Sequence, residues 1–333
     1  MNPILHFQEF PQPITSKRYV TSYKLKTLSI LLIYILFSLS VPVRGSGNEI
    51  TLAAVGDIFF ARGVAAELKT KPPSHLFADV QSILSRADIA VCNLECTLSE
   101  KGLPQRRKMV FRVSPSYAHA LKAAGIDVAD LANNHTLDYG RDALVDTYNA
   151  VESAGLVSVG AGKDRSSAIH VRIIKRGNLK VGFIAYTDLA TSGVIRLDDQ
   201  PTVAGVNDDQ IPAEVKAAKL QCDALVVMFH WGVEYMKIPT HRQKMLARLC
   251  IDNGADAVLG HHPHVLQPTE VYKNRPIIYS SGAFVWDSKL FGANKSAIYI
   301  LKIAKNQATL IKTIPIKITH ARPTPIKIKA NIK

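Results

Sequence analysis

At 333 residues, 47% of them hydrophobic, the chain is long enough to bury one large core or two small ones, and its ordinary glycine and proline content excludes a fibrous or disordered polymer. A formal charge of +14 points to anionic partners, whether nucleic acid, anionic lipid or an acidic polymer. The charge is uneven, with ten Lys or Arg and no Asp or Glu from Lys289 to the end.

The first 26 residues are polar and basic. Leu28 to Val43 then runs apolar apart from Ser29, Ser38, Ser40 and Pro42, and Arg44-Gly45-Ser46-Gly47 follows. A basic flank before a short apolar run predicts export, with the folded part outside the cytoplasm because the positive flank stays inside. The run is shorter than the roughly 20 residues of a membrane span. The basic region is long and lacks an Ala-x-Ala site, so a cleaved signal and an uncleaved membrane anchor both fit. Residues 1–46 are therefore set apart as signal or anchor, residues 47–318 as the folded domain, and residues 319–333 as a loose basic tail.

From Glu49 onward strand and helix patterns alternate. Apolar runs predict strands over 50–55, 89–92, 128–131, 157–159, 181–185, 224–229, 257–259 and 277–280. Helical spacing is expected over 76–85, 115–124, 141–154, 214–220 and 242–253, several of these stretches stopping at Gly125, Gly155 or Gly254. This alternation predicts an α/β layered fold, and the late strands 298–303 and 309–318, with no helix between them, read as antiparallel. The four cysteines match neither a zinc knuckle nor a compact disulfide framework. Cys222 and Cys250 read as buried residues of helical stretches, while Cys92 and Cys96 flank Glu95 closely enough for one of them to be exposed.

The polar residues that follow the strands carry the chemistry. Gly260-His261-His262-Pro263-His264 places histidines in a loop at a strand's carboxyl end, where open α/β sheets gather ligands. Asp57 ends the first strand and suits a cation or a helix cap, and Arg62 can fork onto a substrate anion. Asn93 and Glu95, two residues apart, face the same way on an extended strand, so Glu95 can bridge two metals. In Asn133-Asn134-His135, an amide oxygen can ligate while the imidazole serves as acid or base, with Asp138 orienting it or capping the next helix. His230-Trp231 follows another strand, where Trp231 can wall a pocket and Glu234 can ligate, take a proton or form a salt bridge. Gln267 and the small residues of Ser280-Ser281-Gly282 complete the set. Such mixed oxygen and nitrogen donors suit Mn, Fe or Zn, and they exceed the needs of one tetrahedral ion, so two divalent ions are expected.

Gly56-Asp57 with Arg62, Asn93-Leu94-Glu95, Asn133-Asn134-His135 with Asp138, His230-Trp231-Gly232 with Glu234, His262-Pro263-His264 with Gln267, and Tyr279-Ser280-Ser281-Gly282 together resemble the CapA family of poly-γ-glutamate capsule synthesis proteins. That family is similar to the calcineurin-like metallophosphoesterases. The resemblance implies a four-layer α/β/β/α sandwich of the metallo-dependent phosphatase type with a dinuclear site. It implies Asp57 and His264 on one metal, Asn134, His230 and His262 on the other, Glu95 between them, and His135 as general acid. Arg62, Asn93, Trp231 and Gln267 are taken as substrate-binding, and His135, Asp138 and Glu234 as catalytic. Phe59 stands where the phosphoesterase pattern has a histidine, and Glu95 where it has Asp. The expected partner is an anionic envelope polymer such as poly-γ-glutamate, with the membrane and other polymer-synthesis proteins beside it. A metal-dependent hydrolase or transferase is one expectation, and a non-catalytic polymer-binding or assembly protein the other. Nucleic acid is excluded as a partner for an exported chain without a stacking aromatic platform.

Overall fold

Apolar period-two runs form most of the strands in the structure, a computed structural model that describes residues 47–191, 193–287 and 292–326. The expected export segment, residues 1–46, lies outside the described residues. In chain order the strands are β1 (Glu49–Ile58), β2 (Ile89–Leu94), β3 (Thr97–Leu98), β4 (Arg112–Val113), β5 (Val128–Asp130) and β6 (Val157–Val159). There follow β7 (Ala161–Gly162), β8 (Arg172–Arg176), β9 (Leu179–Thr187), β10 (Thr202–Val203), β11 (Ala224–His230) and β12 (Ala257–His261). The last are β13 (Thr269–Tyr272), β14 (Arg275–Ile278), β15 (Ala283–Val285), β16 (Lys295–Ala304), β17 (Gln307–Thr319) and β18 (Arg322–Pro325).

One sheet has the order β18-β17-β16-β1-β2-β5-β6, with β15 also paired to β1, and the other has the order β13-β14-β12-β11-β9-β8. Neighbours β1, β2, β5 and β6 are parallel, as are β9, β11, β12 and β14. The late strands β16 and β17 pair antiparallel, as their sequence predicts. The sheets pack face to face: Leu52, Ala54, Val91 and Val128 of the first meet Val181, Phe183, Val226, Met228 and Leu259 of the second in one buried cluster. Alternate residues point the other way. Val227 and Phe229 pack with Val215 and Leu246 of helices Ile211–Lys219 and His241–Asp252, and Ala90 and Ala129 pack with Leu121 and Leu144 of helices Tyr117–Ala123 and Arg141–Ser153. The result is the expected α/β/β/α sandwich. Each fully buried Val, Leu, Phe or Met side chain contributes about 1.5–3 kcal/mol, so this apolar framework can carry polar groups at its strand ends.

Several local expectations are corrected. The helix expected over 76–85 is a 3-10 turn, Pro73–Phe77, followed by the short helix Gln81–Leu84. Asp79 lies between them, and its carboxylate accepts from Arg322 and from the Thr324 hydroxyl. The same contact corrects the loose tail: Arg322–Pro325 is strand β18, paired antiparallel with β17, and only residues 327–333 lie outside the described residues there. Cys222 lies past the end of helix Ile211–Lys219, and Cys92 and Cys96 are both fully buried. Burial pushes the Cys96 thiol up to about 12.

Gly56 sets the approach of β1 to the chain that precedes β15. A Cβ at Gly56 would stand 1.8 Å from the Gly282 carbonyl oxygen, the same oxygen that accepts from the Asp57 N–H at 3.0 Å. A backbone oxygen cannot swing aside as a side chain does. Gly56→Ala is expected to destabilise the fold by about 3 kcal/mol, read as a lower denaturant midpoint at unchanged slope. An unchanged midpoint would show that this junction is not rigid.

Candidate metal centre

The inner face of each sheet changes from apolar to polar at its carboxyl end. Along β2, Ile89 and Val91 lead to Asn93; along β11, Val226 and Met228 lead to His230; along β12, Ala257 and Leu259 lead to His261. Strand register then sets the neighbours: Asp57 beside Asn93, Asn93 beside Asp130, and His230 beside His261. Because both sheets end at the same place, these rows meet across the sandwich. The loop after β12 completes the meeting by bending back. His262 and His264 adopt φ of +92° and +56°, a backbone region non-glycine residues seldom occupy and one that recurs at ligand clamps.

The polar groups interlock. The Asn93 amide donates to Asp57 Oδ1 at 2.8 Å and lies 3.2 Å from His230 Nδ1, while Asn93 Oδ1 accepts from Asn133. Asp57 Oδ2 is 2.8 Å from His264 Nδ1, and Asn134 Oδ1 is 2.9 Å from His230 Nε2. Glu95 Oε1 lies 3.5 Å from His230 Nε2 and 3.7 Å from His264 Nε2. Beside this cluster, His135 Nδ1 is 2.7 Å from Asp138 Oδ2. Asp138 also accepts from the Phe111 N–H and pairs with Arg107, whose guanidinium donates to the Asn134 carbonyl. Asp138 thus orients the imidazole; the following helix begins at Gly140 with no side-chain cap.

The electrostatics follow from burial. Burial pushes Asp57 upward, but the His261 and His264 imidazoles together outweigh it and hold the carboxyl well below the ordinary range. Glu95 is raised well above that range by burial, then by Asp57, Glu234 and Asp138. Burial, reinforced by His262, holds His230 well below the usual imidazole range, and burial with His264 pushes His262 down to about 3. Burial also lowers His135, with Asp138 opposing. The depressed His230 and His262 favour the neutral imidazole that a divalent ion requires, whereas Glu95 must give up its favoured proton to meet one.

Two donor sets lie within ion-binding reach, Asp57 with Glu95 and His230, and Glu95 with His262 and His264, the atoms of each within 4.8 Å of one another. Glu95 belongs to both. The shorter contacts pair Asp57 with His264 at 2.8 Å and Asn134 with His230 at 2.9 Å, so the donors of the two sets interleave. The donors fit a cation: Glu95 Oε1 and His262 Nδ1 are buried without a hydrogen-bond partner among the described residues. An orphaned buried carboxylate oxygen is costly unless a cation meets it.

The other expected site residues are placed as follows. Arg62 is exposed, pairs with Asp287 at 3.4 Å and lies over Phe59. Glu234 is exposed at the rim, outside the interlocked cluster, and acts on Glu95 through its charge. Trp231 is fully buried on the helix side of the second sheet, stacked on Phe229, with its indole N–H donating to the Tyr279 carbonyl. It packs behind the site, on the side that faces the helices. Gln267 is buried, accepting from Gln243 and donating to the Met236 carbonyl, and so pins the loop after β11. Sequence reading missed Arg107 and Asp130. Arg107 sits in the irregular polar segment between β3 and β4, while the alternation of Val128 and Asp130 would have placed Asp130 on the inner face.

Residues 51–288 match the protein family described as "Bacterial capsule synthesis protein PGA_cap". The chain is 33% identical over 294 residues to the capsule biosynthesis protein CapA of Bacillus anthracis, covering 86% of this chain and 72% of that one. It is 32% identical over 285 residues to the PGA biosynthesis protein CapA of Bacillus subtilis strain 168, covering 85% and 75%. Among solved structures, the fold is similar to that of a hypothetical protein from Thermus thermophilus, with a TM-score of 0.51 and 16% identity over 80% of this chain and 99% of that chain. The chain is also similar to the calcineurin-like phosphoesterase YfkN from Bacillus subtilis, with a TM-score of 0.48 and 15% identity over 86% and 92%.

Proposed function

Because the chain belongs to the bacterial capsule synthesis protein family PGA_cap, and its strand ends gather a mixed oxygen and nitrogen donor set, we propose that it is an exported, metal-dependent hydrolase or transferase acting on an anionic envelope polymer. The observation that carries this reading is the pair of donor sets sharing Glu95, with its buried oxygen unmet. Two divalent ions held there would activate water and clamp a phosphoryl or acyl oxygen. The protein's own part is positional. Asp57, Glu95, Asn134, His230, His262 and His264 hold the ions. A carboxylate only accepts, so the Asp138 contact places the His135 hydrogen on Nδ1 and leaves Nε2 to exchange a proton with a leaving group.

The polymer reading is supported by the Bacillus relatives, named for capsule and PGA biosynthesis, and by charge beside the site. The segment between β3 and β4 packs on Asp138 and Asn134 through Phe111 and Arg107, and it carries the exposed Arg106 and Lys108, with Arg112 at the start of β4. Exposed Arg62 touches its Met109. Such a rim attracts a polycarboxylate and repels a cationic one. These same cations favour a second reading, a polymer-binding assembly protein without turnover. Among the described residues no helix is long and apolar enough to cross a membrane, and export is proposed on the N-terminal sequence pattern alone.

The test is to load the full chain with Mn, Fe or Zn and incubate it with poly-γ-glutamate and with generic phosphomonoesters and phosphodiesters, wild type beside His230→Ala. Metal-dependent shortening of the polymer, or ester cleavage, lost in the variant is the expected result. Bound metal with no turnover, together with salt-sensitive polymer binding, would overturn the hydrolase reading in favour of assembly.

A further inference from the structure

His261 is the histidine of the Gly260-His261-His262-Pro263-His264 loop that the site described above does not use. It closes the inner-face row of β12 after Ala257 and Leu259, next in register to His230. Its side chain is 1% exposed, and its Nδ1 lies 3.5 Å from Asp57 Oδ1. Both ring nitrogens are buried without a hydrogen-bond partner among the described residues. A neutral imidazole left with a donor and an acceptor unmet costs about 1–3 kcal/mol for each, a penalty that tolerated core histidines avoid by finding a carbonyl or hydroxyl.

The strand that carries Asp57 offers no imidazole of its own here. Two residues past Asp57 stands Phe59, fully buried, its ring 4.5 Å from Phe111 and 4.8 Å from Trp286 between centroids. Asp57 instead faces imidazoles from the opposite sheet, His264 on Oδ2 and His261 on Oδ1. Two ligand atoms each about 2.1 Å from one ion lie roughly 3.0–3.4 Å apart, so the Asp57–His261 separation needs little adjustment to span a metal.

We propose that His261 is a protein ligand of the ion held by Asp57, supplying from β12 the imidazole that β1 lacks. The inference rests on the metal reading of the site. It makes a chemical prediction for this one position, because a ligand exchanged for another ligand changes the ion's own spectrum, whereas a packing residue does not.

The experiment uses the full chain loaded with Co(II), as wild type, His261→Gln and His261→Cys, with the exposed His241→Gln as control. His261→Gln is expected to weaken retention of one ion by on the order of 100-fold in competition with a chelator. His261→Cys is expected to gain a sulfur-to-cobalt charge-transfer band in the near ultraviolet that wild type and His241→Gln lack. Should His261→Gln fold poorly, the band in His261→Cys still decides the matter. Full cobalt loading of His261→Cys with no such band overturns the assignment of His261 and leaves the metal centre standing. Failure of wild type to bind any divalent ion overturns the metal reading itself, and this inference with it.

Discussion

Glu95→Gln is expected to lower the affinity of the full chain for divalent ions by at least about 100-fold, measured by chelator competition. The reason is position as well as charge. Glu95 is the donor common to both ion-binding sets, and its Oε1 is buried without a hydrogen-bond partner among the described residues. A neutral amide can occupy the same space but brings no charge to offset a dication. The metal-free proteins should differ in the opposite sense. The Glu95 carboxyl is raised well above its ordinary value of 4.5 when folded, by burial first and by Asp57 next. The native state then binds the proton more tightly than the unfolded chain, so stability is full below about pH 4.5 and is lost as pH rises through the folded value. His230 and His262, depressed when folded, act the other way and lose stability as pH falls below about 6.5, but they are common to both proteins. The difference between wild type and Glu95→Gln therefore isolates Glu95. Metal-free Glu95→Gln should become progressively more stable than wild type as pH rises from about 4.5, measured by urea unfolding in chelator. Equal stability across the pH range would mean that Glu95 is solvated and no ligand.

If the chain turns over its substrate, His135→Gln is expected to lower kcat by about 10²–10⁴-fold with metal content unchanged. The imidazole lies on the edge of the donor cluster, its ring 4.4 Å from that of Phe111 and its Nδ1 taken up by Asp138. It is placed to move a proton and is not counted among the donors that hold an ion. Asp138→Asn keeps the shape and breaks the preference for hydrogen on Nδ1, and should cost a smaller factor of about 10–100-fold. As proton donor His135 must be charged, so activity should fall as pH rises through its pKa. Because burial holds that pKa below the ordinary imidazole range, this alkaline limb should lie below about pH 6.5, and Asp138→Asn should move it further down by removing the charge that opposes burial. Metal lost together with activity in His135→Gln would make it a ligand and contradict the role of proton donor.

The candidate donor set was legible because each apolar strand breaks off at a polar residue, and in a parallel sheet such breaks share one edge. The sandwich follows from the same alternation of strand and helix. The misses have physical causes. The period-two rule that places His230 on the inner face places Trp231 on the helix side, with Val227 and Phe229, so its burial was implied by the strand it ends. His261 was equally implied by Ala257 and Leu259, once β12 is taken two residues past its apolar run. Arg107 and strand β18 had no such signal. Arg107 reaches the site from an irregular segment, and β18 pairs with β17 while its Arg322 and Thr324 contact Asp79, far earlier in the chain.

Metal counting on the full chain, wild type beside Asp57→Ala, tests the central claim most directly. Elemental analysis after dialysis against Mn, Fe or Zn should find about two ions per wild-type chain and a loss in the variant, since Asp57 and Glu95 are the carboxylates that offset the ions' charge. A folded wild-type chain that retains no divalent ion of any of these kinds would contradict the account and leave the histidine cluster as a buried polar network beneath a polymer-binding surface.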